Sequence, residues 1–112
     1  MQEIVVFCTS KPEEAERIAK SVVEKRLAAC VNVVASVRSF FWWQDAVQDE
    51  EESLLIMKTT EDRLDMLIQH VKEIHSYDVP EIIALPIIKG YDAYLEWLRD
   101  VVGAAVRGSW GY

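Results

Sequence analysis

Histidine and cysteine are scarce in this chain, two of each among 112 residues. Cys8 and Cys30 are too few, and too uninformatively spaced, for a disulfide framework or a zinc knuckle. Both lie in apolar sequence, Val5-Val6-Phe7-Cys8 and Leu27-Ala28-Ala29-Cys30-Val31, so each reads first as a small core residue. Basic residues are outnumbered, 12 Lys and Arg against 19 Asp and Glu, and the formal charge of −7 offers no basic face for a phosphate backbone. Nucleic acid is therefore not an expected partner. No apolar run approaches the roughly 20 residues of a membrane span, and the first residues lack the basic-then-apolar design of a signal peptide. No membrane partner and a cytoplasmic location are expected. What the chain does have is apolar mass: 51% hydrophobic residues, with four Trp, four Tyr and three Phe, rule out intrinsic disorder. The length fits one domain, residues 1–112, with a real core and a use for oligomerisation.

Two halves of the chain repeat one pattern. An apolar strand, Ile4 to Cys8, runs into Thr9-Ser10, then Glu13-Glu14, then a helix with Ala15, Ile18, Ala19, Val22 and Val23 on one face. The second copy is Leu54 to Met57, Thr59-Thr60, Glu61-Asp62 and a helix from Leu64 to Ile74. Ser10 with Glu13 reads as a capping box, Thr59 with Asp62 resembles a second, and Glu13 with Arg17 falls at the i,i+4 spacing of an ion pair. A strand follows each helix, Cys30 to Val37 and Ile82 to Ile88. The order β-α-β-β-α-β predicts an α+β, ferredoxin-like antiparallel sheet with helices on one face. Asp92 then caps an extra C-terminal helix bearing Tyr94, Leu95, Leu98, Val101 and Val102, and the tail 103–112 loses the pattern and is expected to be partly disordered.

Two segments exceed what that frame needs. The run from His75 to Ile82 gathers imidazole, phenol and two carboxylates where a helix ends and a strand begins, a place that holds function accessibly; on spacing alone it reads first as a helix stop with a capping histidine, since His75 lies four residues after Val71. In the long central hairpin, strand character continues through Phe40-Phe41-Trp42-Trp43 to a polar turn, Gln44 to Glu52. Aromatics on a protruding arm need another subunit or a ligand, unless they fold back onto their own core. The acidic run Asp49-Glu50-Glu51-Glu52 reads as a solvated turn that suppresses edge-to-edge aggregation, and secondarily as a hard-cation site.

Cys8-Thr9, Arg26-Leu27-Ala28-Ala29-Cys30-Val31-Asn32, the hairpin ending in Trp43, Lys58-Thr59-Thr60, the run from His75 to Ile82 and Tyr94-Leu95-Glu96-Trp97-Leu98 together resemble the CutA divalent-cation tolerance proteins, over residues 1 to about 102. The resemblance implies a tight homotrimer, similar in architecture to the PII signalling proteins, and a link to copper and other divalent metals. By matching position it implies Cys8 and His75 as metal ligands, and Trp43, Lys58, Tyr77 and Glu81 in a cleft between subunits. Ile74 stands where some members have a second histidine, Phe41 where tyrosine is common, Ser76 in place of a usual proline, and Gln44-Asp45-Ala46 in place of a typical Glu-Gly-Lys turn.

Thiolate and imidazole suit copper or zinc. With the second long helix taken as antiparallel to the first strand, Cys8 and His75 are expected at opposite ends of the protomer, about 22 Å apart at 1.5 Å per residue. They would then meet only across a trimer interface, or bind separately and weakly, with an accessible His75 mattering more than Cys8. By the same reasoning Lys58 reaches Tyr77 and Glu81 only through a neighbouring subunit, where it is expected to pair with Glu81 or another carboxylate. The function expected is that of a trimeric copper-binding protein of metal tolerance. The alternative is a PII-like scaffold that takes a small anionic ligand or a partner protein in the subunit clefts. An enzyme using His75 and Glu81 as acid and base is a third reading, but no nucleophile elbow, phosphate loop or HExxH motif accompanies them, and no catalytic role is expected.

Overall fold

The computed structural model describes residues 2–108. Its elements are β1 (Glu3–Ser10), α1 (Pro12–Glu24), β2 (Cys30–Trp43), β3 (Ala46–Thr60), a single 3-10 turn (Glu61–Arg63), α2 (Leu64–Ile74), β4 (Ile82–Pro86) and α3 (Asp92–Gly108). The sheet order is β2-β3-β1-β4, with every neighbouring pair antiparallel. This is the ferredoxin-like arrangement that the duplicated pattern predicts.

Alternation along β1 decides the layers. Ile4, Val6, Cys8 and Ser10 are buried under α1 and α2, where they join Ile18, Val22, Leu55, Met57, Leu67 and Val71 in the main core. α1 ends in a Schellman motif: the Arg26 N–H donates to the Val23 carbonyl (2.9 Å) and the Leu27 N–H to the Val22 carbonyl (3.1 Å). Arg26 takes the left-handed position (φ 55°) that usually falls to glycine, and its guanidinium donates to the Val101 carbonyl of α3. α3 lies toward the opposite face. Leu98 and Val102 close on Ala29, and Arg99 pairs with Glu3, whose side chain alternates away from the core. The helix runs six residues into the segment expected to lose order, and residues 109–112 lie outside the described residues.

Neither capping box forms. The Ser10 hydroxyl donates to the Lys11 carbonyl, and Lys11 occupies the N-cap of α1 without a side-chain bond. Thr59 Oγ1 donates instead to the Leu27 carbonyl (2.7 Å), tying β3 to the end of α1. Arg17 pairs with Glu14 at i,i+3, not with Glu13.

The hairpin differs most from expectation. The turn is only Gln44-Asp45, both at positive φ (51° and 62°), as a two-residue type I′ turn requires. Asp49 to Glu52 are strand residues within β3, and Arg38 grips Asp49 across the ladder with two bonds of 2.9 and 2.7 Å. β1 pairs with β3 only from Ser53 to Thr60, so the outer arms, Val37–Trp43 and Ala46–Glu52, pair with each other alone. They carry the molecule to 47 Å along its longest axis and raise the radius of gyration to 14.8 Å. A compact chain of this length would have about 13 Å. Phe40 and Trp42 stand 62% and 74% exposed on that arm.

Candidate functional site

The site lies where α2 gives way to the strand that returns beside β1. β3 and β1 are antiparallel, and α2 runs back along β3, so α2 is parallel to β1 and its C-terminus reaches the Cys8 end. The 22 Å separation expected from the sequence is overturned, because the direction of the helix was taken the wrong way round. His75 Nε2 lies 2.8 Å from the Thr9 carbonyl, and the Cys8 thiol donates to the same oxygen at 3.6 Å.

His75 is 8% exposed, not the open helix-end imidazole expected. Its tautomer follows from its partners. The Tyr77 N–H donates to Nδ1 (3.1 Å), while a carbonyl can only accept, so Nε2 carries the proton given to Thr9. Both ring nitrogens are engaged. The Tyr77 ring leans on the imidazole with centroids 4.7 Å apart.

Carboxylates surround this pair. Ser76 donates from its N–H (3.0 Å) and its hydroxyl to the two oxygens of Glu14, which Arg17 also contacts at 3.3 Å. Burial alone would raise the Glu14 carboxyl, but the Ser76 bonds, with help from His75 and Arg17, hold it below the usual carboxylate range. The Tyr77 hydroxyl donates to Glu52 (2.8 Å), and Glu52 is 5% exposed. Burial, then the Glu52 bond and charge, push the Tyr77 phenol up. Cys8 is fully buried, and burial followed by the charges of Glu81, Glu52 and Glu14 pushes its thiol up to about 12. The thiol is therefore protonated at neutral pH. Among the described residues, no three His, Cys, Asp or Glu side chains stand as a metal cage.

The four residues expected in a subunit cleft divide. Trp43, Tyr77 and Glu81 come together within one chain, lining a hollow of about 380 Å³ between the hairpin and the loop that follows α2. Lys58 stays apart. It pairs with Val5 near the other end of β1, and Nζ donates to the Asn32 side chain, with Cys30 Sγ at 3.9 Å. Along β3, Lys58 is six residues from Glu52, about 20 Å of strand. It makes no pair with Glu81 within the chain.

Sequence reasoning missed Glu14, Glu52 and Thr9. Glu14 lies four residues before Ile18 and so borders the buried stripe, a signal that was present. Nothing in the run Asp49 to Glu52 singles out the last carboxylate, because its hydrogen-bond partner, Tyr77, lies 25 residues away.

These features define a ferredoxin-like α+β domain with an overlong central hairpin, an added C-terminal helix and a histidine–thiol–carboxylate junction. Residues 4–101 match the CutA1 divalent ion tolerance protein family, and the chain belongs to that family. It is 52% identical over 98 residues to Protein CutA 1, chloroplastic, of Oryza sativa subsp. japonica, covering 87% of this chain and 55% of that one. It is 47% identical over 103 residues to the Divalent-cation tolerance protein CutA of Thermus thermophilus, covering 92% and 100%. The chain thus spans about half the length of the plant relative and all of the bacterial one. Among solved structures, CutA1 from Oryza sativa superposes with a TM-score of 0.87 at 49% identity, over 90% of this chain and 94% of that one. The Periplasmic divalent cation tolerance protein CutA from Archaeoglobus fulgidus gives 0.86 at 40% identity, over 89% and 98%.

Proposed function

We propose that the chain acts as a homotrimeric divalent-cation tolerance protein that binds copper, or another divalent metal, weakly through Cys8 and His75 in the cytoplasm. The observation that carries this reading is the convergence of a thiol and an imidazole on one carbonyl oxygen, with Glu14, Glu52 and Glu81 close enough to act on the thiol. Thiolate and imidazole are donors that copper prefers, and nearby carboxylates favour a cation. The donor types fit, but the donors are not free. A metal must displace one of the two His75 hydrogen bonds, and it gains Cys8 only by expelling a proton from a thiol poised near 12. Weak binding that relies on His75 follows from this.

The outer hairpin supports the trimer. Its two strands have open outer edges and carry exposed Phe40 and Trp42, while Ile83 and Leu85 are exposed on β4. Unpaired edges and exposed rings of this kind are covered by a neighbour in obligate assemblies. Two free cysteines suit a reducing compartment. The PII-like alternative with an anionic ligand finds less support, since Glu52 and Glu81 line the hollow beside Trp43 and Tyr77 and Lys58 lies elsewhere.

Native mass spectrometry with and without Cu(II) tests the proposal. The expected species is a trimer that gains up to one copper per chain, with the gain lost in His75→Asn. A monomer, or a trimer that takes up no copper, contradicts it.

A further inference from the structure

Two adjoining hollows, of about 340 and 380 Å³, lie between the outer hairpin and the loop after α2, and both are walled by Phe41, Trp43, Tyr77 and Val79. The first adds Glu50, Glu51 and Asp78, and the second adds Glu52 and Glu81. Among their described lining residues, Lys11 is the single basic side chain. We propose that this aromatic, acidic groove binds an aliphatic amine, a short methylene chain ending in one or two ammonium groups. The site is distinct in chemistry from the copper reading above and does not depend on it.

Each part of the wall selects for that class. Five carboxylates against one lysine repel an anion. Aromatic faces attract an ammonium through the ring quadrupole, and they bury its methylenes, which a hydrated metal ion does not offer. A bare divalent ion also lacks a cage, since no three ligating side chains cluster among the described residues. One ring of the wall, Tyr77, is held in place. Tyr77 is fixed at one end by its bond to Glu52 and at the other by its contact with His75. The loop that carries it is pinned to α2 by Lys72, whose ammonium donates to the Asp78 carbonyl at 2.7 Å. Trp43 and Phe41 are half-exposed, so covering them with methylenes returns apolar area from water.

Titration of the full chain with 1,5-diaminopentane at low salt and pH 7, followed by calorimetry and tryptophan fluorescence, tests this. Trp43→Leu and the pair Glu50→Gln with Asp78→Asn change exposed side chains and leave the core intact. Saturable binding is expected, weakened about tenfold or more in either variant, a loss typical of removing an aromatic face or two charges. MgCl2 at equal concentration is expected not to compete. Absence of saturable binding, an affinity unchanged from that of the intact chain in either variant, or equal competition by magnesium overturns the proposal. Sedimentation of each variant reports whether its oligomeric state is unchanged. If the tryptophan signal moves only because the assembly dissociates, the groove is a contact between copies, and the proposal is likewise overturned.

Discussion

Ser76→Ala removes one hydroxyl and probes the junction directly. Ser76 holds the nearly buried Glu14 carboxylate with two donors, its N–H and its Oγ–H, and only the second is lost. A hydrogen bond to a charged group contributes about 1.5–3 kcal/mol, but Ser76 is exposed and water takes over part of its role, so the loss expected at pH 7 is about 1–2 kcal/mol. For a domain of this size that lowers Tm by roughly 4–8 °C at fixed protein concentration. The pH dependence gives an independent check. The Glu14 carboxyl lies below its ordinary range in the folded state, so its ionised form contributes stability that is complete above the unfolded value of about 4.3 and disappears as pH falls through the lowered folded value. Without the hydroxyl the folded value rises toward the unfolded one. The gap in Tm between the two proteins should therefore be widest near neutral pH and close as acid protonates Glu14 in both. Calorimetric melts from pH 7 down to about 3 measure this. A Tm unchanged within about 1 °C, or a gap that stays constant with pH, refutes the reasoning.

Asp45→Gly relieves a left-handed residue at the hairpin turn and is expected to stabilise by about 0.5–1 kcal/mol, read as a higher denaturant midpoint at constant slope. Tyr77→Phe strips the buried Glu52 of its donor and should cost about 1–3 kcal/mol, whereas Tyr77→Phe combined with Glu52→Gln should recover part of that loss, a coupling that a double-mutant cycle of thermal melts reports. Phe40→Ser with Trp42→Ser leaves the core untouched and should weaken self-association enough to show lighter species in sedimentation at micromolar concentration, while an undiminished trimer would place the interface elsewhere.

The duplicated strand–helix pattern made the fold readable, because burial on one sheet face imposes period two on β1 and β3 and a helical period on α1 and α2. What period cannot report is direction. Whether the end of α2 meets Cys8 depends on counting two antiparallel reversals, and one error of sign moved His75 to the wrong end of the molecule. The capping boxes failed for a related reason. Thr59 had a better acceptor in the Leu27 carbonyl, a contact between residues 32 apart that no local window contains. The hairpin turn was expected too long, Gln44 to Glu52, because Gln44-Asp45 lacks the glycine that usually marks a two-residue type I′ turn. His75 and Tyr77 were visible as chemistry-bearing residues, but the groups that restrain them and the Ser76 between them, Thr9, Glu52 and Glu14, come from three other elements.

The central claim is that copper is taken at the His75 junction and that the protonated Cys8 thiol contributes little at neutral pH. Calorimetric titration of Cu(II) into the intact protein and into His75→Asn and Cys8→Ser, with melts showing that each variant is folded, tests it most directly. The account predicts weak stoichiometric binding, lost by at least about tenfold in His75→Asn and changed no more than about threefold in Cys8→Ser, since a thiol near 12 is not a thiolate at pH 7. Binding that survives intact in His75→Asn contradicts it.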